Sequence, residues 1–353
     1  MNRFDRQYIL NGFGIEGQKK LKNASVLLVG AGGLGCPALL YLAAAGVGRI
    51  GVIDGDIVHV SNLNRQVLFG EKDLGKNKAE QAVRHFQDKY ADITWEIFPE
   101  FLTVQNAQEL INDYDLVVDG TDNFPTRYLI NDACLLHGKP FVFGAIYQHE
   151  GQVSVFNLGE NACNYRDVHP EMPGPTEIPN CAETGVLGVL PGIIGNLMAL
   201  EAIKVLSGYG EPLKNRMVYF NSLNSQTYEV ELTPKTTSSA PDSWTVLENM
   251  DYQQACGAVK EMTWKEAMGK MNQNVAFVDV RELDEFPPLV CTGLMKLPMS
   301  VIESQLDKLE DAEQILIFCQ SGMRSQKAAQ LLSETYPDKA IFSIKGGINS
   351  LKS

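Results

Sequence analysis

The run Gly30-Ala31-Gly32-Gly33-Leu34-Gly35 follows the apolar segment Ser25-Val26-Leu27-Leu28-Val29 and opens a helical pattern from Leu34 to Ala45. Glycines at this spacing between a strand and a helix permit a tight turn. They also let a phosphate approach the backbone at a helix N-terminus. A second strand, Arg49-Ile50-Gly51-Val52-Ile53, ends at Asp54, a carboxylate placed to hold ribose hydroxyls. A β-α-β unit suited to holding a nucleotide is therefore expected near the start of the chain. The glycine loop alone fits a NAD-dependent dehydrogenase as well as any other nucleotide binder.

The alternation continues. Lys76 to Tyr90 has helical spacing, Ile93 to Phe98 and Leu116-Val117-Val118 read as strands, a helix runs through His137, and Pro140 to Phe143 is a strand. Strands alternating with helices predict an α/β fold with a doubly wound, mostly parallel, Rossmann-like sheet. Residues 1–22 read as a short amphipathic helix and lead-in. After Gly151 the period changes: Gln152 to Phe156 and Gln226 to Leu232 alternate with period two, an antiparallel extension. Between them lie a loop from Asn161 to Pro179 and an apolar helix from Gly185 to Leu206. Thr233 to Ser243 has the composition of a linker, extended as connector to residue 258. From residue 259 strand and helix patterns resume as a small α/β domain. The expected division is 1–232, linker 233–258, and 259–353.

A length of 353 residues suits two domains. The net charge of -13 argues against a general nucleic-acid binder. The charged start, Met1 to Arg6, lacks the apolar core of a secretory signal, and Leu34 to Val47 is too short to span a bilayer. Seven cysteines, an odd number without a C-x-x-C pair, fit reduced thiols. A cytoplasmic protein, free of membrane and nucleic acid, is expected.

Residues beyond Asp54 sharpen the nucleotide site. Arg65 follows in Ser61-Asn62-Leu63-Asn64-Arg65-Gln66, Lys78 opens the next helix, and Asp122 sits after the strand at 116–118. Two cations and a carboxylate suit a triphosphate with Mg²⁺; hydride transfer needs no such clamp. Together with Asp5-Arg6-Gln7, the glycine loop, Val52-Ile53-Asp54-Gly55-Asp56 and Thr121-Asp122-Asn123, these pieces closely resemble the MoeB/ThiF family, relatives of ubiquitin-activating enzymes. That family adenylates the C-terminal Gly-Gly carboxylate of a ubiquitin-like sulfur carrier. The resemblance implies that Gly30, Gly32, Gly33, Gly35, Asp54, Asp56 and Asn62 line the ATP site. It implies that Arg65 and Lys78 bind phosphates and that Asp122 binds Mg²⁺. It also implies a homodimer in which Arg6 reaches the neighbouring subunit's site.

Many family members hold structural zinc on two C-x-x-C pairs. Here Cys163 and Cys256 are each left without a pair, and His169 is a distant third candidate, so no zinc is expected. Cys181, in Asn180-Cys181-Ala182-Glu183-Thr184-Gly185, precedes a helix and matches the family's loop cysteine, which accepts the activated carrier; a small buried hydrophobe is the competing reading. Cys36 and Cys134 read as core, and Cys291 has no supporting motif.

A second signature, Cys319-Gln320-Ser321-Gly322-Met323-Arg324-Ser325, lies between the apolar run Ile315 to Phe318 and a helix. Backbone N–H groups in such a loop converge on the sulfur, while Arg324 and the helix dipole add positive charge and stabilise a thiolate. Phosphate-ester cleavage and sulfur transfer can both use that geometry. Cysteine phosphatases carry one more residue between Cys and Arg, and the shorter loop suits a persulfide. Val278-Asp279-Val280-Arg281-Glu282 and Lys345-Gly346-Gly347-Ile348 resemble the opening and closing motifs of rhodanese domains over about 263–353. The usual Gly-His-Ile stretch is replaced by Cys291-Thr292-Gly293-Leu294-Met295.

The two signatures together point to an ATP-dependent adenylyltransferase and sulfurtransferase. The resemblance implies that a carrier like MoaD or ThiS is adenylated and then receives sulfur carried on Cys319 from a cysteine desulfurase or thiosulfate, as in molybdopterin or thiamine biosynthesis. The alternatives are an NAD-dependent oxidoreductase with a regulatory rhodanese module and a carrier-docking scaffold without catalysis.

Overall fold

Strand β1, Ser25–Val29, is buried along its whole length. Its residues alternate between faces: Val26 and Leu28 join one core cluster, Leu27 and Val29 another. A strand apolar on both faces belongs inside a sheet covered on both sides. The computed structural model describes residues 3–173, 185–235, 239–250, 252, 260–270, 275–282, 285, 289, 293–336 and 338–352. In it β1 lies between β2 (Arg49–Ile53) and β4 (Leu116–Asp119), parallel to both. The eight-stranded order is β3-β2-β1-β4-β5-β6-β7-β8, with β3 Thr94–Phe98, β5 Phe141–Tyr147, β6 Glu150–Phe156, β7 Arg216–Asn221 and β8 Gln226–Glu231. β3 through β5 run parallel and β6 to β8 pair antiparallel. The order reverses between β1 and β4, the switch point at which ligands bind in such sheets.

Helices Gly35–Ala45, Lys78–Gln87 and Val189–Ser207 bury Leu39, Leu42, Val83, Phe86, Ile194 and Met198 on one face. Val104–Asn112 and Phe124–His137 bury Ala107, Ile111, Ile130 and Ala133 on the other. Val189–Ser207 is long and apolar enough to cross a membrane by length and composition. Its Leu190, Ile194, Met198, Ala199 and Ala202 are packed into this core. The helix starts later than the apolar pattern from Gly185, and Gly208 in the left-handed region ends it. The lead-in at 1–22 contains two helices, Asp5–Tyr8 and Gly14–Asn23, separated at Gly12, where φ is +81°. β7 and the helix Val104–Asn112 had no strong sequence signal.

The stretch 233–258, expected as linker, carries the helix Trp244–Asn249, and Leu247 and Tyr252 are buried in the core of the first unit. Tyr252 Oη donates to Asp132 Oδ2 at 2.7 Å, and Arg166 brackets the same carboxylate from Nε at 2.8 Å and Nη2 at 2.7 Å. Pro, Ser and Thr at 233–243 conceal the apolar pair Trp244 and Leu247 that follows. A buried hydrogen bond to a charged group contributes about 2 kcal/mol. Tyr252→Phe is therefore expected to lower the unfolding free energy of the first unit by about that much, read as a lower urea midpoint at unchanged slope. An unchanged midpoint would mean that this segment is no part of the unit.

The described residues form two compact units, one ending at Tyr252 and the other starting at Lys260. The second has a parallel sheet in the order β11-β10-β12-β13-β9, with β9 Lys260–Met262, β10 Val275–Asp279, β11 Leu294–Lys296, β12 Gln314–Phe318 and β13 Ala340–Ile344. Val278, Ile315 and Ile317 face one cluster, and Phe277, Leu316, Phe318 and Trp264 the other.

Candidate active site

In the first unit the residues expected at a nucleotide site, Arg6 excepted, lie about the carboxyl ends of β1, β2 and β4. Gly30 leaves β1 at φ +88°, and a Cβ on Gly35 would come within 2.0 Å of the Gly30 carbonyl oxygen. The loop therefore closes only with glycine at both positions. Asp54, directly after β2, accepts the Ala31 N–H at 2.8 Å on one oxygen and the Asp56 N–H at 2.9 Å on the other. Burial raises its affinity for a proton above that of an ordinary aspartate.

Lys78 opens its helix and lies 8% exposed, with Nζ donating to Asp56 Oδ2 at 2.5 Å. Asn77 caps that helix by accepting the Glu80 N–H at 3.0 Å. Its amide also donates to the carbonyls of Asp54 at 2.8 Å and Asp56 at 3.3 Å. Asn77 thus stitches Lys78 to the end of β2. Sequence reading missed this role, although Asn before a helical run is a capping signal.

Arg65 lies with its stem against the glycine loop, 3.5 Å from where a Gly33 Cβ would stand; its Nη1 donates to Ser61 O at 2.8 Å and Asn64 Oδ1 at 3.1 Å. Asn62 is buried and shapes this turn by accepting the His59 N–H at 3.0 Å. Asp122 is exposed. The preceding Thr121 is fixed by Asp119, and Arg127 Nη2 donates to the Thr121 carbonyl at 3.0 Å. Thr121 N stands 3.3 Å from a Cβ built on Gly30, so this turn abuts the glycine loop. Arg6 sits elsewhere. Its helix packs at the far end of Gly35–Ala45, where Gln7 donates to Ala45 O at 3.2 Å and Phe4 covers Gly46. That end is about 16 Å from the glycine loop.

The donor set fits a nucleoside triphosphate: two cations and a helix N-terminus beside a glycine-rich loop whose Ala31 and Leu34 side chains are buried. Among the described residues no three His, Cys, Asp or Glu side chains group to hold a metal. Mg²⁺ is normally held by one or two carboxylates together with substrate phosphates and water, which the single Asp122 suits. Cys36 and Cys134 are buried, and burial pushes the Cys36 thiol up to about 12. Cys163 is also buried. Cys181, Cys256 and Cys291 lie outside the described residues.

In the second unit Cys319 follows β12 and is fully buried, with its Sγ accepting the Gly322 N–H at 3.1 Å. The 345–349 segment backs the loop. Ile348 N–H donates to Cys319 O at 2.9 Å, Asn349 N–H to Gln320 O at 3.1 Å, and Trp264 Nε1 to Gly347 O at 2.6 Å. A Cβ on Gly347 would reach 2.3 Å from Cys319 O, so that position admits no side chain. Arg281 is buried on Asp279, donating from Nε at 3.0 Å and Nη2 at 2.8 Å.

Arg324 is bound through both terminal nitrogens by Glu285, from Nη2 at 2.7 Å and by a short contact from Nη1. Sequence reading passed over Glu285, which follows the Asp279-Val280-Arg281-Glu282 signature by three residues. The Arg324 guanidinium holds its carboxyl down to about 2, from an ordinary 4.5. A folded-state value below the unfolded one stabilises at higher pH. The contribution is complete above pH 4.5 and is lost as pH falls through about 2. Thermal melts should give wild type an advantage over Glu285→Gln at neutral pH that closes across that window; a constant gap would contradict the pairing.

The sequence profile of the ThiF family matches residues 4–241. The chain belongs to the ThiF family. A rhodanese-like domain profile matches residues 263–353, after the ThiF domain. "Probable adenylyltransferase/sulfurtransferase MoeZ" of Mycobacterium tuberculosis is 40% identical, covering 98% of this chain and 91% of that protein. The "Sulfur carrier protein adenylyltransferase" of Thermus thermophilus is 49% identical over 73% of this chain and 97% of its own length. "Adenylyltransferase and sulfurtransferase MOCS3" of Arabidopsis thaliana is 34% identical over 96% of this chain and 80% of its own. The crystal structure of Escherichia coli MccB with ATP superposes with a TM-score of 0.59 at 24% identity, covering 68% of this chain and 73% of that one. That similarity is one of fold.

Proposed function

We propose that this chain adenylates the C-terminal Gly-Gly carboxylate of a ubiquitin-like sulfur carrier and then converts it to a thiocarboxylate with sulfur carried on Cys319. The carrying observation is the pairing of the two sites in one chain: the cradle of Asp54, Arg65 and Lys78, and a Cys319 sulfur that accepts a loop N–H at 3.1 Å.

A carrier carboxylate oxygen attacks the α-phosphorus of ATP and pyrophosphate leaves. Lys78 and Arg65 stabilise the charge that develops on the phosphates. Asp54 orients the ribose, and Asp122 would hold Mg²⁺, which neutralises phosphate charge when bound. The terminal sulfur of a Cys319 persulfide then attacks the acyl-adenylate carbonyl, and AMP departs. The resulting acyl disulfide is opened by a thiol attacking Cys319 Sγ, which frees the thiocarboxylate. Cys181 or an external reductant supplies that thiol. One chain carrying both sites raises the local concentration of persulfide near the adenylate.

Arg6 lies beyond the reach of its own glycine loop, which supports a homodimer in which the second copy's Arg6 completes the site. The reading includes a cytoplasmic setting, a MoaD-like or ThiS-like carrier, and a cysteine desulfurase or thiosulfate as donor. The test is intact-mass analysis of Gly-Gly carriers incubated with the enzyme, Mg-ATP, thiosulfate and reductant. A mass gain equal to sulfur replacing oxygen is expected. No change in any carrier, while Cys319 does become persulfidated, would overturn the proposal.

A further inference from the structure

Arg324, the cation of the sulfur loop, does not face its pocket as a free charge. Glu285 chelates both terminal nitrogens, and the pair is only partly covered, at 32% and 28% exposure. Glu285 is itself held in place, because its Oε1 accepts the Glu282 N–H at 2.9 Å. Glu282 lies just after β10, next to Arg281, which is buried on Asp279, so the carboxylate has a backbone anchor besides Arg324. Glu282 adds a second negative charge acting on Arg324, and its carboxylate accepts the Ser300 hydroxyl at 2.9 Å. The second arginine near the loop, Arg281, spends its charge on Asp279.

A thiosulfate donor is a dianion. It would need the guanidinium fork that Glu285 fills, and it would meet the charges of Glu285 and Glu282 on approach. A cysteine persulfide carries at most one negative charge, has no sulfonate-like oxygens, and needs no such fork. We infer that Glu285 sets the sulfur-donor class of the Cys319 site, disfavouring thiosulfate and favouring the persulfide of a protein cysteine. The inference rests on Cys319 being the sulfur carrier.

Both donor reactions balance. With thiosulfate, the Cys319 thiolate forms a bond to the outer sulfur, the sulfur–sulfur bond of the donor breaks, and its electron pair leaves on sulfite. With a persulfide R–S–SH, the thiolate attacks the outer sulfur and R–S⁻ leaves. Either way Cys319 ends as a persulfide, and no outside oxidant or reductant is needed. Glu285 acts through Arg324 and is a positioning residue.

The test compares donors on the full chain. Initial rates of Cys319 persulfidation are read by intact mass with thiosulfate and with the persulfide of N-acetylcysteine amide, a mimic of a protein cysteine persulfide with no charge outside the persulfide itself. Glu285→Gln should raise the ratio of kcat/KM for thiosulfate over that for the persulfide at least tenfold. Most of the change should fall in the KM for thiosulfate, and wild type should favour the persulfide. Glu285→Asp, which keeps the charge, should restore the wild-type ratio. A ratio unchanged in Glu285→Gln, or shifted equally by Glu285→Asp, would overturn the inference, since a purely structural role affects both donors alike. If Cys319 gains no sulfur from either donor in wild type, the sulfurtransferase reading itself fails and this inference with it.

Discussion

Replacing Cys319 by Ser abolishes sulfur transfer to the carrier while ATP–pyrophosphate exchange continues. The side chain is fully buried beside the apolar cluster of Val280 and Ile317, and its sulfur accepts the Gly322 N–H, which a serine oxygen can also accept. The loop is held by main-chain bonds from Ile348 and Asn349 that the substitution leaves alone. The fold therefore survives, and the chemistry does not, because an oxygen cannot carry a transferable sulfane sulfur. Loss of an essential nucleophile lowers the rate by at least ~10³-fold. Mass analysis should find no persulfide on the variant and no thiocarboxylate on the carrier. Pyrophosphate exchange, which needs only the ThiF cradle, should stay within about twofold of wild type. A collapse of exchange in the same variant would tie Cys319 to adenylation and contradict the division of labour.

The second large effect belongs to Lys78. Its ammonium has three donor protons, and among the described residues Asp56 takes one. Two remain for phosphate oxygens. Removing one such charge from a transition state typically costs about 10²–10³-fold in rate. Lys78→Ala should lower kcat/KM for pyrophosphate exchange by that much. Asp56 stays 45% exposed and can be solvated, so the melting temperature should move little. A variant that melts much earlier, or that exchanges at the wild-type rate, would reassign Lys78 to a structural role.

Much of this was legible in the residues because the signatures are local. The glycine loop, Asp54 and the Cys319 loop each require particular residue types within a few positions of a strand end, so sequence alone exposes them. Asn77 and Glu285 were harder to see because their work is tertiary. One bridges two carbonyls across more than twenty residues, and the other reaches an arginine 39 positions away. The helix Trp244–Asn249 was masked by the Pro- and Ser-rich run before it; only the fold reveals that Leu247 and Tyr252 find a core. β7 was missed because Arg216–Asn221 is half-buried and its strand character comes from pairing with β6 and β8.

Asp54 already spends one hydrogen bond from each oxygen on the backbone, at Ala31 and at Asp56. On the proposed reading the nucleotide arrives at a ready-made seat and need not fold its own. Little of its binding free energy goes into ordering the loop, so more is left to favour the strained geometry of bond exchange over the resting complex. An aspartate that looks like a sugar ligand is also the keystone of the arch it serves.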